Sequence, residues 1–186
     1  MNCPMDSPPP IHRTQTLDAQ RIESLYRLYD RTWPPSAAEQ RHTVQQRYQL
    51  GAGQCVANLH FFFEQDGDII AHARVFQRQM KVDQLSQTVA CLADVCVAPE
   101  QRGNGLGRQL MLTIIQSLAH GACQQLLFQT NETGFYQKLG AGVVTARCFD
   151  SRNDQPTPWW EASVMTIPAN SPLARATVID LMGPGY

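Results

Sequence analysis

The stretch ADVCVAPEQRGNGLGRQLMLTIIQSLAHG, residues 93–121, decides how this chain is read. An alternating apolar segment runs through Pro99 into a loop that crowds Gly103, Gly105 and Gly107 between Arg102 and Arg108. An amphipathic helix follows, with Leu106, Leu110, Ile114 and Leu118 on one stripe beside Met111 and Ile115, and Gly121 is its expected C-cap. Backbone N–H groups in the first turn of a helix are unsatisfied donors carrying about half a positive charge, which suits a pyrophosphate. Glycines let the backbone reach positive φ and bring those donors against a ligand without a Cβ in the way. Arg102 and Arg108 add charge-assisted contacts. A loop that only turned the chain would not need three alternate glycines.

Two phosphate-binding patterns do not fit. A dinucleotide fingerprint needs G-x-G-x-x-G directly after a strand, whereas here the spacing is G-x-G-x-G and APEQ intervenes. A P-loop ends in G-K-[ST], whereas Gly107 is followed by Arg108 and Gln109.

Working outward, Thr16 is the expected cap of a first helix whose apolar residues are Ile22, Leu25, Tyr26, Tyr29 and Trp33. Pro34 and Pro35 stop it, and SAAE at 36–39 is a capping-box pattern opening a second, more polar helix that ends near Gly51. The period then changes. Residues 59–64 and 69–76 are rich in β-formers, and QDGD between them is a hairpin signal. A third strand over 88–97 follows a polar connection. After the glycine helix come a buried strand over 125–130, a short helix in NETGFYQKLG capped by Asn131 and closed by Gly140, and strands at 142–149 and 163–168.

With Arg102, Gly105 and Gly107 the loop reads R-x-x-G-x-G between a strand and a helix. It resembles the acetyl-CoA signature of the GNAT superfamily of N-acetyltransferases. The resemblance extends upstream to the V-x-P-x-x-R-G approach and downstream to GFYQKLG, covering residues 68–144 well. It implies a single α/β (α+β) domain, a mixed, mostly antiparallel sheet with helices on both faces, in the order ααβββαβαββ. The expected division is a disordered leader over 1–10, the acetyltransferase domain over 11–168 and a tail over 169–186.

The resemblance also implies chemistry. Acetyl-CoA would lie with its pyrophosphate on Arg102, Gly103, Asn104, Gly105, Leu106, Gly107 and Arg108. Its pantetheine arm would pair with the main chain of Val95, Cys96 and Val97 as an added strand would. Asn131 and Lys138 are further expected cofactor contacts. Tyr136 matches the family tyrosine that protonates the departing CoA thiolate. The base is less plainly marked, because the central-strand positions where many relatives carry Glu or His hold Cys91 and Ala93. Asp94, re-aimed by a bulge common in this strand of the family, is the named candidate, with a structural role in fixing the glycine loop as its equal alternative. Glu64, His72 and water are less specific alternatives, and thiol chemistry at Cys91 or Cys96 is a weaker one.

Composition sets the remaining expectations. The 186 residues are 43% hydrophobic and 17% charged with a net charge of −1, so no basic field argues for nucleic acid or an anionic membrane. The five histidines form no pair at metal-ligand spacing, and no metal is expected. The six cysteines are dispersed, MNCPMDSPPPIHR has no signal-peptide h-region, and no apolar run reaches the ~20 residues that span a bilayer. A cytoplasmic enzyme with reduced thiols is expected, moving acetyl from acetyl-CoA to the primary amine of a small molecule or peptide by direct attack. The alternative is a non-catalytic acetyl-CoA-binding sensor or interaction module. Trp159 and Trp160, in the long loop DSRNDQPTPWWEA, would line the acceptor pocket or else pack a dimer interface or the core edge, and the tail would add an edge strand or reach a partner subunit in a homodimer.

Overall fold

The computed structural model describes residues 10–34, 58–119, 124–152 and 163–183. The second helix read at 36–51, the C-cap at Gly121 and the Trp159–Trp160 loop lie outside the described residues.

The chain opens with β1 (Ile11–Thr14), an edge strand absent from the sequence reading, paired antiparallel with β2 (Asn58–Gln65). Helix α1 (Ala19–Thr32) is capped by Asp18 rather than Thr16, because the Asp18 carboxylate accepts from the Arg21 N–H at 2.9 Å. Its inward stripe is also rotated from the expected one. Ser24, Leu25, Leu28 and Tyr29 are buried, while Trp33 is exposed. Ser24 belongs there because it is satisfied on the sheet: its Oγ accepts from the Ile69 N–H at 2.7 Å and donates to Asp68 at 3.1 Å.

Strands β2 and β3 (Asp68–Val82) join through Asp66 and Gly67, both at positive φ, as the hairpin signal requires. Strand β3 then runs beyond the expected end at Phe76, and β4 (Leu85–Val97) begins before the expected start at Thr88. The polar connection is a continuation of the ladder closed by a two-residue turn, Asp83 and Gln84, both at positive φ. Asp83 anchors that turn by accepting from the Thr177 and Val178 N–H groups and the Thr177 hydroxyl.

A 3-10 turn (Pro99–Gln101) leads to α2 (Leu106–Ala119). Then follow β5 (Leu126–Thr130), α3 (Thr133–Gln137), β6 (Gly142–Val143), β7 (Arg147–Phe149), β8 (Ser163–Ile167) and, after a second 3-10 turn (Pro172–Arg175), β9 (Val178–Asp180). Helix α3 starts two residues past the expected Asn131 cap. Glu132 holds the N-cap position without a side-chain cap, and its N–H is taken by Thr130 Oγ1 at 2.9 Å. The strand expected over 142–149 is two short ones with different partners, β6 on β8 and β7 on β9. Strand β9 pairs with β3 at Lys81↔Asp180 and Val82↔Ile179, so residues of the tail join the sheet at the end of β3.

The sheet order is β1-β2-β3-β4-β5-β8-β6, antiparallel except where β4 meets β5, with β7 and β9 parallel beside it. Strand alternation sends Phe61 and Phe63 to the face covered by α2, with Leu110, Met111 and Ile114, and Phe62 to the face covered by α1, with Leu25 and Leu28. The expected mixed, mostly antiparallel sheet with helices on both faces is therefore the observed one. Among the described residues no helix is long and apolar enough to cross a membrane.

Candidate active site

The site grows out of an interruption in the sheet. β4 and β5 pair in parallel only at Ala90↔Leu126 and Cys91↔Leu127, although β4 continues to Val97 and β5 to Thr130. On the other edge of β4 the register with β3 slips. Cys96 faces His72 and Ala93 faces Arg74, so Asp94 and Val95 together oppose Ala73. This is a β-bulge, and Asp94 takes φ +56 in it. The sequence reading needed a bulge to re-aim Asp94, and the strand has one. On the side facing β5, residues 94–97 present a main-chain edge with no strand partner among the described residues, which is the surface an extended arm would pair with.

At the end of β4, Ala98 N–H returns to Ile70 O at 2.8 Å and Arg102 Nε donates to Val97 O at 3.2 Å, fixing where the glycine loop begins. Gly103 and Gly105 adopt φ +85 and +78. The first described backbone bond of the following helix is Gln109 N–H to Gly105 O at 3.0 Å. The amides of residues 103–108 therefore make no hydrogen bond to described backbone. A Cβ on Gly103 would meet nothing within 4 Å, and one on Gly105 only the Gln109 side chain at that limit. Open donors at a helix N-terminus, with empty space above them, fit a pyrophosphate.

Gly107 sits between β4 and α3, since a Cβ there would lie 3.5 Å from Val97 and 3.8 Å from Phe135. Tyr136 is thereby brought beside the open β4 edge. Its ring packs on Phe128 and Phe135, with centroids 4.6 and 4.9 Å away. Burial, then the Glu132 carboxylate and the nearby Cys96 sulfur, raise the hydroxyl's pKa above the ordinary tyrosine value. The Tyr136 hydroxyl therefore stays protonated at any pH near neutrality. Cys96 is buried, and desolvation, followed by the Asp94 charge, raises its pKa too, which disfavours the thiolate that thiol chemistry needs. Asn131, Lys138 and Arg108 are exposed, the first two on either side of α3.

The α1 face of the bulge carries a polar cluster that the sequence reading largely missed. Arg74 Nε donates to Asp94 Oδ2 at 2.7 Å, in a pair whose side chains are 10% and 19% exposed. Tyr29 Oη lies 3.1 Å from His72 Nδ1, His60 Nδ1 lies 3.0 Å from His72 Nε2, and Asp94 O lies 3.4 Å from His72 Nδ1. Burial, then the Arg74 charge, pushes His60 down to about 4; burial, then His60, pushes His72 down to about 3. The available signal was period two: His60, His72 and Arg74 alternate in phase with the buried Phe62 and Phe76.

The profile of the acetyltransferase (GNAT) family matches residues 22–141, spanning the bulged strand, the glycine loop and Tyr136. This chain belongs to the GNAT family. No curated protein matches it. Among GNAT structures it resembles the YhbS N-acetyltransferase of Escherichia coli in complex with CoA, at 17% identity and TM-score 0.63, over 95% of this chain and 92% of that one. It also resembles a GNAT acetyltransferase of Brucella melitensis in complex with acetyl-CoA, at 15% identity and TM-score 0.52, over 82% and 94%. A GCN5-related N-acetyltransferase of Kribbella flavida aligns at 22% identity and TM-score 0.55 over 72% of this chain, which spans only 33% of that longer protein. At these identities the likeness is one of GNAT fold.

Proposed function

We propose that this GNAT protein transfers the acetyl group of acetyl-CoA to a primary amine in a ternary complex, without a covalent enzyme intermediate. The observation that carries the reading is the open β5-side edge of β4 at 94–97 leading into the amides of residues 103–108, which have no partner in the described backbone. The thioester supplies the activated acetyl group, and the chain supplies position and protons. The amides of residues 103–108, with Arg102 and Arg108, hold the diphosphate. The main chain of Val95, Cys96 and Val97 aligns the pantetheine arm, and Asn131 and Lys138 reach the remainder of the cofactor. Tyr136 donates its proton to the leaving sulfur, which its raised pKa permits at neutral pH.

The acceptor's proton leaves to water or to the Asp94 carboxylate, and the hold of Arg74 on that carboxylate favours water. Steady-state CoA release against a panel of amines, amino sugars, polyamines and peptide N-termini tests the proposal. Turnover with one class names the acceptor. Tight acetyl-CoA binding with no release from any amine would instead make the protein a binding module.

A further inference from the structure

Asp94 is the only residue of the bulge that two neighbours on the facing strand both reach. His72 and Arg74 flank Ala73, the residue opposite the bulge, and side-chain alternation turns both toward the α1 face. From there Arg74 holds the Asp94 carboxylate and His72 approaches the Asp94 carbonyl. With the His72 proton on Nδ1, that ring donates to the Asp94 carbonyl and to Tyr29 Oη, and its Nε2 accepts from His60 Nδ1–H. One directed chain, His60 to His72 to the bulge carbonyl, therefore runs beneath the site. Its members are buried and its end is the residue at positive φ, a conformation that Asp tolerates and most residues resist.

We infer that Asp94 is a positioning residue, not the base: clamped from β3 by Arg74 and His72, it locks the bulge open and so sets the β4 edge on which acetyl-CoA is aligned. This rests on the acetyl-CoA reading above for its ligand, but the clamp itself can be measured without ligand.

The test compares Asp94→Asn, Asp94→Gly and Asp94→Ala by acetyl-CoA calorimetry, by kcat, and by amide hydrogen exchange over residues 94–98 in the unliganded protein. Asparagine tolerates positive φ and keeps an acceptor for Arg74; glycine keeps only the backbone freedom; alanine keeps neither. Affinity is expected to fall in the order Asn, Gly, Ala. Asp94→Asn should stay within about threefold of wild type, and Asp94→Ala should weaken binding by about tenfold, the factor to which an alanine's left-handed penalty corresponds. Exchange should quicken in the same order, and kcat should follow affinity. Should all three variants bind like wild type with unchanged exchange while kcat falls by ~10² or more, Asp94 is the base and the clamp is wrong. Unchanged values throughout would also overturn it. If the wild type fails to bind acetyl-CoA, the functional reading falls alone, because the exchange order still decides the clamp.

Discussion

Arg74 Nε and Asp94 Oδ2 meet at 2.7 Å across β3 and β4, where the ladder between those strands changes register. The pair lies between the buried and the exposed case. Breaking a fully buried pair by removing one partner costs about 3–5 kcal/mol, and exposed pairs contribute about 0–1. Arg74→Met should therefore destabilise the protein by about 1–3 kcal/mol, with the melting temperature falling by about 2–4 °C per kcal/mol for a chain of this size. Adding Asp94→Asn should recover part of the loss, because the stranded charge is then gone. Denaturant melts of the two variants check this, and a single-variant loss below ~0.5 kcal/mol would place the pair with ordinary surface contacts.

Tyr136→Phe keeps the packing on Phe128 and Phe135 and removes only the hydroxyl. If Tyr136 is the acid, kcat and kcat/KM should fall together by ~10²–10⁴ with acetyl-CoA affinity nearly unchanged. The raised pKa of the tyrosine also means that the wild-type rate should show no alkaline fall at the ordinary tyrosine value from this group. A weakened acetyl-CoA Kd with kcat intact would make Tyr136 a binding residue.

Gly105 needs its positive φ, so a branched side chain there would strain the loop as well as fill it. Asparagine separates the two effects, because it tolerates the left-handed region while adding a side chain beside the donor amides. Gly105→Asn should melt within a few degrees of wild type and weaken acetyl-CoA at least about tenfold, the equivalent of ~1.4 kcal/mol. Calorimetry giving wild-type affinity in the folded variant would remove the diphosphate from this loop.

Acid should weaken the fold before its carboxylates are protonated. Unfolded histidines titrate near ~6.5, whereas burial holds His60 down at about 4 and His72 at about 3. Between those values the unfolded chain binds protons that the folded one refuses, so stability is present above pH ~6.5 and is lost as pH falls toward the folded values. Each group adds a slope approaching about 1.4 kcal/mol per pH unit in that window. Urea midpoints at pH 7, 6, 5 and 4 measure the slope, and His60→Gln should flatten it by one proton. A flat profile from pH 7 to 5 would mean that the histidines are not buried as neutral groups.

Much of the fold was legible because it rests on local rules. Three alternate glycines beside Arg102 marked a donor-lined helix mouth, the stripe from Leu106 to Leu118 marked α2, and QDGD marked the first hairpin, each from backbone preference and period alone. Other features depended on what packs over them. Gln77, Gln79 and Lys81 read as a connection, yet Arg78, Met80 and Val82 between them are buried and keep the ladder going. Ser24 joins the inner face of α1 only because Ile69 N–H and Asp68 wait for it, and residues 142–149 split because β6 finds β8 and β7 finds β9.

The candidate site divides along the same line. Sequence by itself determined the glycine loop proposed to hold the diphosphate, because such a site is made of consecutive backbone amides and needs only glycines in order. Tertiary structure alone decided the α1 face, where Tyr29, His60, His72, Arg74 and Asp94 come from four separate elements. Buried polar groups persist only where partners satisfy them. Those partners are separated by 12 to 43 residues along the chain, and no local pattern encodes such contacts.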